Sequence, residues 1–121
     1  RQPPGKLLKS AHAVDREYKV LSALASTDVP VAKVFHLCED CDVIGSMFYL
    51  MEYLPGRIFW DSALPEAGSC EKPNEERAAI HQEIIQVMAK LHNVDVDAAG
   101  LSDYGKPGNY YQRQMQRWST C

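Results

Sequence analysis

One apolar run, stopped by a proline and a glycine, sets the first limit on how this chain can fold. Residues 48–60 read FYLMEYLPGRIFW. A strand can pass through Phe48, Tyr49, Leu50 and Met51. Pro55, however, has no amide to give a neighbouring strand, and Gly56 lets the backbone leave at a sharp angle. Any sheet holding Phe48 therefore loses the chain at Pro55. Two readings are open: the Pro–Gly pair ends an edge strand in a plain turn, or it holds open a strip of backbone for a flat ligand.

The rest of the pattern offers that strand little shelter. KVFHLC (33–38) and SMFYLMEY (46–53) are strand-like and are joined by the turn-rich EDCDVIG, so a hairpin is the economical reading. Before it, residues 1–9 read as a strand end or loop around Pro3-Pro4-Gly5. Ser10 can cap a helix through about Ala25, with Val14, Tyr18, Leu21 and Ala25 at helical spacing. After it, residues 54–73 are irregular, with a short helical turn near 59–63. Asn74 can cap a helix over 74–92, where Glu75 and Glu76 suit the positive end of the dipole. Ile80, Ile84, Val87, Met88 and Leu91 form its apolar stripe, and Asn109 can cap a last helix carrying Tyr111, Met115 and Trp118 on one side. The sum is an α+β chain whose lone hairpin is marginal in water. With its arginine start and its last helix cut short, it reads as a piece of a larger domain.

Composition narrows the function. With 45% hydrophobic and 24% charged residues over 121 positions, the chain has the makeup of one soluble, intracellular globular domain. A net charge of -3 and scattered lysines and arginines leave no electrostatic footprint for nucleic acid or an anionic membrane surface. No apolar run approaches the roughly 20 residues of a membrane span. Cys38 and Cys41 form one CxxC, short of the four ligands a structural zinc takes. Glu39 and Asp40 between them would raise a thiol pKa instead of lowering it, so Cys38, Cys41, Cys70 and Cys121 read as reduced thiols. A thiol or zinc module stays as an alternative that metal analysis would decide.

Glu17 is out of place. On a helical wheel with Val14 at zero, Tyr18 falls at roughly +40°, Leu21 at roughly −20° and Leu24 at roughly −80°, while Glu17 sits among them at roughly −60°. A carboxylate inside an apolar arc either reaches the arc's edge and water or finds a cation. In the second reading Glu17 holds a lysine or arginine that grips an anionic ligand.

A helix with an inward Glu17, a hairpin, and MEYLPG (51–56) after its second strand resemble, in that order, the small lobe and hinge of the protein-kinase-like fold. The chain is similar to the aminoglycoside phosphotransferase and choline kinase-like family. The stretches PPGKLLKSAHAVDREYKVLSAL, VIGSMFYLMEYLPGRIFWD and LHNVDVDAAGLSDYG are more specific. They resemble the N-terminal phosphotransferase domain of the large acyl-CoA dehydrogenase family members, the tenth and eleventh. The resemblance covers nearly the whole chain. It implies a fragment with residues 1–54 in the small lobe, and 55–121 spanning the hinge exit and the first helices of the large lobe, where the stripe on 74–92 would be core. Packing is the plainer expectation for Tyr110, Tyr111 and Trp118.

The resemblance also implies a site. Adenine would lie flat against the strip after the hairpin, bonded by the carbonyl of Glu52 and the amide of Leu54, with Met51 behind the ring. Glu17 would hold a cation at or just before Arg1. The glycine-bearing phosphate loop is expected before Arg1, and the catalytic base and magnesium ligands after Cys121. The implied activity is ATP- and Mg-dependent phosphorylation of a small-molecule hydroxyl, for these relatives that of a 4-hydroxyacyl-CoA, with no catalytic residue in these 121 positions. FAD belongs only to a downstream dehydrogenase domain, and the compartment would be mitochondrial or peroxisomal. The rival reading is a non-catalytic kinase-like binding or scaffold module, which flanking sequence would separate from the enzyme.

Overall fold

The computed structural model describes residues 1, 13–65, 67 and 73–119. In chain order these form helix α1 (Val14–Leu24), strands β1 (Val34–Cys38) and β2 (Phe48–Met51), and helices α2 (Pro73–His92) and α3 (Tyr110–Ser119). The fold is α+β, as the pattern predicts, with α1 packed on both strands of an antiparallel pair.

α1 starts later than the sequence suggests. Ala13, in extended backbone at φ −69 and ψ 92, takes the cap position with no side-chain cap, and the first helical bond runs from the Glu17 amide to the Ala13 carbonyl at 3.0 Å. Ser10 lies outside the described residues. Ala25 is an exposed C-cap, not a core residue; its amide bonds the Leu21 carbonyl at 3.2 Å. What seats the helix is burial at its two ends, Val14 at 3% and Leu24 at 5% exposure.

The hairpin pairs Val34 with Met51, His36 with Leu50, Leu37 with Tyr49 and Cys38 with Phe48. The jump between the first two pairs leaves Phe35 as an extra residue, a β-bulge on the first strand. On the far side of β2, the Tyr49 amide donates to the Arg1 carbonyl at 3.0 Å and the Arg1 nitrogen donates to the Tyr49 carbonyl at 2.6 Å. That reciprocal pair is the geometry of two neighbouring antiparallel strands. Tyr49 is thus flanked by Leu37 on one side and Arg1 on the other, and among the described residues it is the largest fully buried side chain, 1% exposed.

Four expectations change in the second half. Residues 59–63 form no helix; instead a turn at Asp61–Leu64 is closed by the Leu64 amide on the Asp61 carbonyl at 2.9 Å, with Leu64 in left-handed backbone at φ 51. Asn74 does not cap α2, because Pro73 already occupies its first position, where a missing amide costs nothing. The α2 stripe is not core: no α2 residue is buried, and Ile84 and Met88 are each 50% exposed. Periodicity says which side of a helix is apolar, but burial needs a second layer, and no described element packs on that side. For the same reason Tyr110, Tyr111 and Trp118 stand 60%, 83% and 74% exposed, though the two tyrosine rings meet edge to face at 5.7 Å.

Stability should therefore concentrate in α1 and the hairpin. Leu24→Ala is expected to cost about 2–5 kcal/mol by chemical denaturation, whereas Ile85→Ala, at a position 66% exposed, should change stability by less than about 0.5 kcal/mol.

Candidate functional site

The site begins with a carboxylate brought to the sheet. α1 turns Glu17 toward β2, where its Oε2 accepts the Tyr49 hydroxyl at 3.1 Å and lies 3.3 Å from Nε of Arg1. One oxygen thus ties together a helix, a strand and the segment beside that strand. The Glu17 and Arg1 side chains keep 31% and 53% of their exposure, so water screens their attraction, and the buried partner is Tyr49. Burial raises the Tyr49 phenol above its ordinary 10.0, the hydrogen bond to Glu17 and its negative charge raise it further, and Arg1 opposes them. The Tyr18 ring leans on Tyr49 at 6.1 Å.

Under α1 lies a cavity of about 420 Å³ walled by Arg1, Glu17, Val20, Leu21, Tyr49 and Met51, with Ala32 and Tyr104 completing it. Its lining is mostly apolar, with the Arg1–Glu17 pair as its charged wall. Met51 is 38% exposed and also marks the end of β2.

Beyond Met51 the ladder makes one last contact, and it is unusual. The Glu52 amide donates to the Lys33 carbonyl at 2.8 Å, but the Lys33 amide donates to Glu52 Oε1, also at 2.8 Å. In a regular pair that amide would take the Glu52 carbonyl. The side chain stands in for its own backbone, and the carbonyl is left without a partner among the described residues. Residues 52–60 then carry no regular structure, and Tyr53 and Leu54 are 88% and 60% exposed. The strip leaves toward α2, where Arg57 pairs with Glu76 at 2.7 Å and Nε of Arg77 donates to the Leu64 carbonyl at 3.1 Å.

Of the four residues singled out from sequence, Glu17 and Met51 meet at one cavity, while Glu52 and Leu54 lie just past it on the open strip. Sequence reasoning missed Tyr49 and Tyr104. Strand alternation could have found the first, since Tyr49 and Met51 share a face of β2; nothing local marks the second. Cys38 and Cys41 sit at the hairpin turn, where their thiols donate to the Asp40 and Glu39 carbonyls at 3.7 and 3.9 Å. Cys70 and Cys121 lie outside the described residues. Among the described residues no cluster of His, Cys, Asp and Glu is arranged to hold a metal ion, and no helix is long and apolar enough to cross a membrane.

With this geometry in hand, the chain can be set beside known proteins. A family model described as "Phosphotransferase enzyme family" matches residues 1–121. A crystal structure from Ralstonia eutropha JMP134, of a protein assigned as an aminoglycoside phosphotransferase, superposes with a TM-score of 0.76 at 53% identity, over 91% of this chain and 32% of that one. Among curated proteins, the Arabidopsis thaliana "Probable acyl-CoA dehydrogenase IBR3" is 54% identical over 119 residues, covering 98% of this chain and 14% of that one. The mouse "Acyl-CoA dehydrogenase family member 10" is 45% identical, with 98% of this chain and 11% of that one covered. The human "Acyl-CoA dehydrogenase family member 11" is 40% identical, over 98% of this chain and 15% of that one. The chain thus spans a small part of each curated relative.

The Tyr49–Glu17 contact makes a pH prediction. A phenol held above 10.0 in the fold contributes stability that is complete below about pH 10 and is lost as pH rises from there through the raised value. Denaturation curves between pH 8 and 11 should show wild type losing more stability than Tyr49→Phe across that window. In Glu17→Gln, the Tyr49 titration followed by NMR should move down toward its ordinary value.

Proposed function

This chain belongs to the phosphotransferase enzyme family, and on that footing we propose that it is the nucleotide-gripping part of an ATP-dependent phosphotransferase acting on the hydroxyl of a small molecule. The observation that carries the reading is the Arg1–Glu17 pair, set in the wall of a cavity that reaches Met51 at the end of β2. A guanidinium held by a carboxylate is a fixed cation, suited to an anionic phosphate group. The strip after Met51 supplies the complementary part: a carbonyl at Glu52 and an amide at Leu54, neither engaged by a described residue, which suit the donor and acceptor on one edge of adenine.

In this reading residues 1–54 belong to the small lobe and 55–121 to the hinge exit and the start of the large lobe. ATP supplies the transferable phosphoryl group. Glu52 and Leu54 fix the base through their backbone, Met51 backs the ring, and Glu17 keeps Arg1 in place for the phosphates. Magnesium ligands and the base that takes the hydroxyl proton come from outside these 121 residues. The names of the curated relatives favour an acyl-CoA acceptor; our reading makes it a 4-hydroxyacyl-CoA phosphorylated ahead of elimination, in a mitochondrial or peroxisomal protein whose FAD belongs to a separate dehydrogenase domain.

Nucleotide titration of the intact phosphotransferase domain tests the hinge. Leu54→Pro deletes the amide donor and should cost about 1–3 kcal/mol of nucleotide affinity. Glu52→Gln should bind nearly as well as wild type, because the carbonyl survives and the amide oxygen can still take the Lys33 amide. Met51→Trp should weaken binding by filling the space behind the ring. Wild-type affinity in Leu54→Pro would reduce residues 51–56 to a turn and leave a scaffold module as the better reading. The 121-residue chain alone is expected to transfer no phosphate to any hydroxyl; magnesium-dependent transfer by the purified chain would place the catalytic groups within it.

A further inference from the structure

α1 has a second attachment, on the flank away from Glu17. Arg16 and Lys19 are three residues apart and so share a side of the helix, roughly 100° and 160° around from Glu17. Both reach a loop some eighty positions further along. Nη2 of Arg16 donates to the Tyr104 carbonyl at 3.3 Å, and its guanidinium lies over the Tyr104 ring, 4.4 Å from the centroid. Nζ of Lys19 pairs with Oδ1 of Asp103 at 2.8 Å, and that bond holds the exposed Asp103 carboxyl below its ordinary value.

The loop is itself fixed at both ends. The Leu101 amide bonds the Val96 carbonyl at 2.9 Å and the Tyr104 amide bonds the Leu101 carbonyl at 3.0 Å. Arg113 of α3 donates to the Lys106 carbonyl at 3.1 Å and to the Gly108 carbonyl. Tyr104 also walls the cavity that contains Arg1 and Glu17. The same residue therefore touches the outside of α1 and closes the space beneath it.

We infer that loop 101–108 is a strap that sets the position of α1, with Arg16, Lys19, Asp103 and Tyr104 as positioning residues for the Glu17–Arg1 grip. The core holds α1 at its ends, where Val14 and Leu24 are buried, while Glu17 lies between them and is only partly enclosed. Two contacts on one flank, an ion pair and a cation over a ring, fix the middle of the helix, each adding modestly because both are exposed. Through Arg113, the strap also makes the seat of Glu17 sensitive to where α3 lies. This role rests on reading Arg1–Glu17 as the phosphate grip.

The test uses the 121-residue chain with labelled tyrosine, following the Tyr49 phenol by NMR as pH rises. Burial first and the bond to Glu17 second hold the Tyr49 phenol up, so in a folded chain its titration reports how α1 and Glu17 sit on it, which a change in global stability would not move. Lys19→Asp and Tyr104→Ser should each lower the Tyr49 titration toward its ordinary value. Adding Asp103→Lys to the first should restore it, and Tyr104→Phe, which keeps the ring, should not lower it. Should Lys19→Asp unfold, Lys19→Gln is read in the same way. A Tyr49 titration unmoved in folded variants, or not restored by the charge swap, overturns the strap. ATP titration of the intact domain separates this from the reading beneath it. Wild type that binds no ATP discards the grip while the tyrosine result still decides the strap. ATP binding weakened roughly two- to fivefold by Lys19→Asp and regained in the swap supports both. Unweakened binding alongside a shifted Tyr49 overturns the strap's bearing on the ligand.

Discussion

A buried tyrosine hydroxyl determines where everything else in this structure can stand. Tyr49 is enclosed in the only sheet among the described residues, and its oxygen has to find an acceptor there. Glu17 supplies it, and the same carboxylate oxygen meets Arg1. Because Glu17 and Arg1 remain within reach of water, their attraction is too screened to pull a helix onto a strand. The packing of Tyr49 does that, and the charges occupy the place it leaves them. The order of causes matters: the packed Tyr49 sets where the Glu17 carboxylate stands, and that carboxylate in turn meets the Arg1 guanidinium.

How much of this the sequence disclosed depends on how local each cause is. The hairpin was legible because turn residues separate two short β-rich runs. Glu17 was legible as a conflict, a carboxylate where Val14, Tyr18 and Leu21 predict an apolar face. The strip after Met51 was legible from Pro55 and Gly56. The seat of α1 was not, because burial of Val14 and Leu24 replaces the side-chain cap that Ser10 suggested. Tyr104 stayed hidden for another reason: its partners are eighty-eight residues away at Arg16 and on the cavity floor, and no local pattern encodes a contact of that range.

Helix α2 shows what a period can and cannot say. α2 carries apolar residues at correct spacing, yet a groove of about 390 Å³ lined by Ile80, Ile84, Val87 and Met88 lies open along it. The solved relative from Ralstonia eutropha extends well past the part matched here, with 32% of its chain covered. The family match runs over residues 1–121, whereas the elements that pack on one another among the described residues are α1 and the hairpin.

The bulge at Phe35 works as a spacer for the far end of the ladder. Were Phe35 drawn into the ladder instead, the register of Cys38 with Phe48 would run on unbroken, and Lys33 would come opposite Tyr53, not Glu52. Holding Phe35 out of the pairing moves the final rung back by one position. It delivers the Lys33 amide to a residue whose carboxylate can accept it, and so leaves a main-chain oxygen idle at the mouth of the cavity. The address of that idle oxygen is written seventeen residues upstream, in the length of a different strand. A hairpin that drew Phe35 into its pairing would change which backbone group is offered there while every side chain around Glu52 stayed the same.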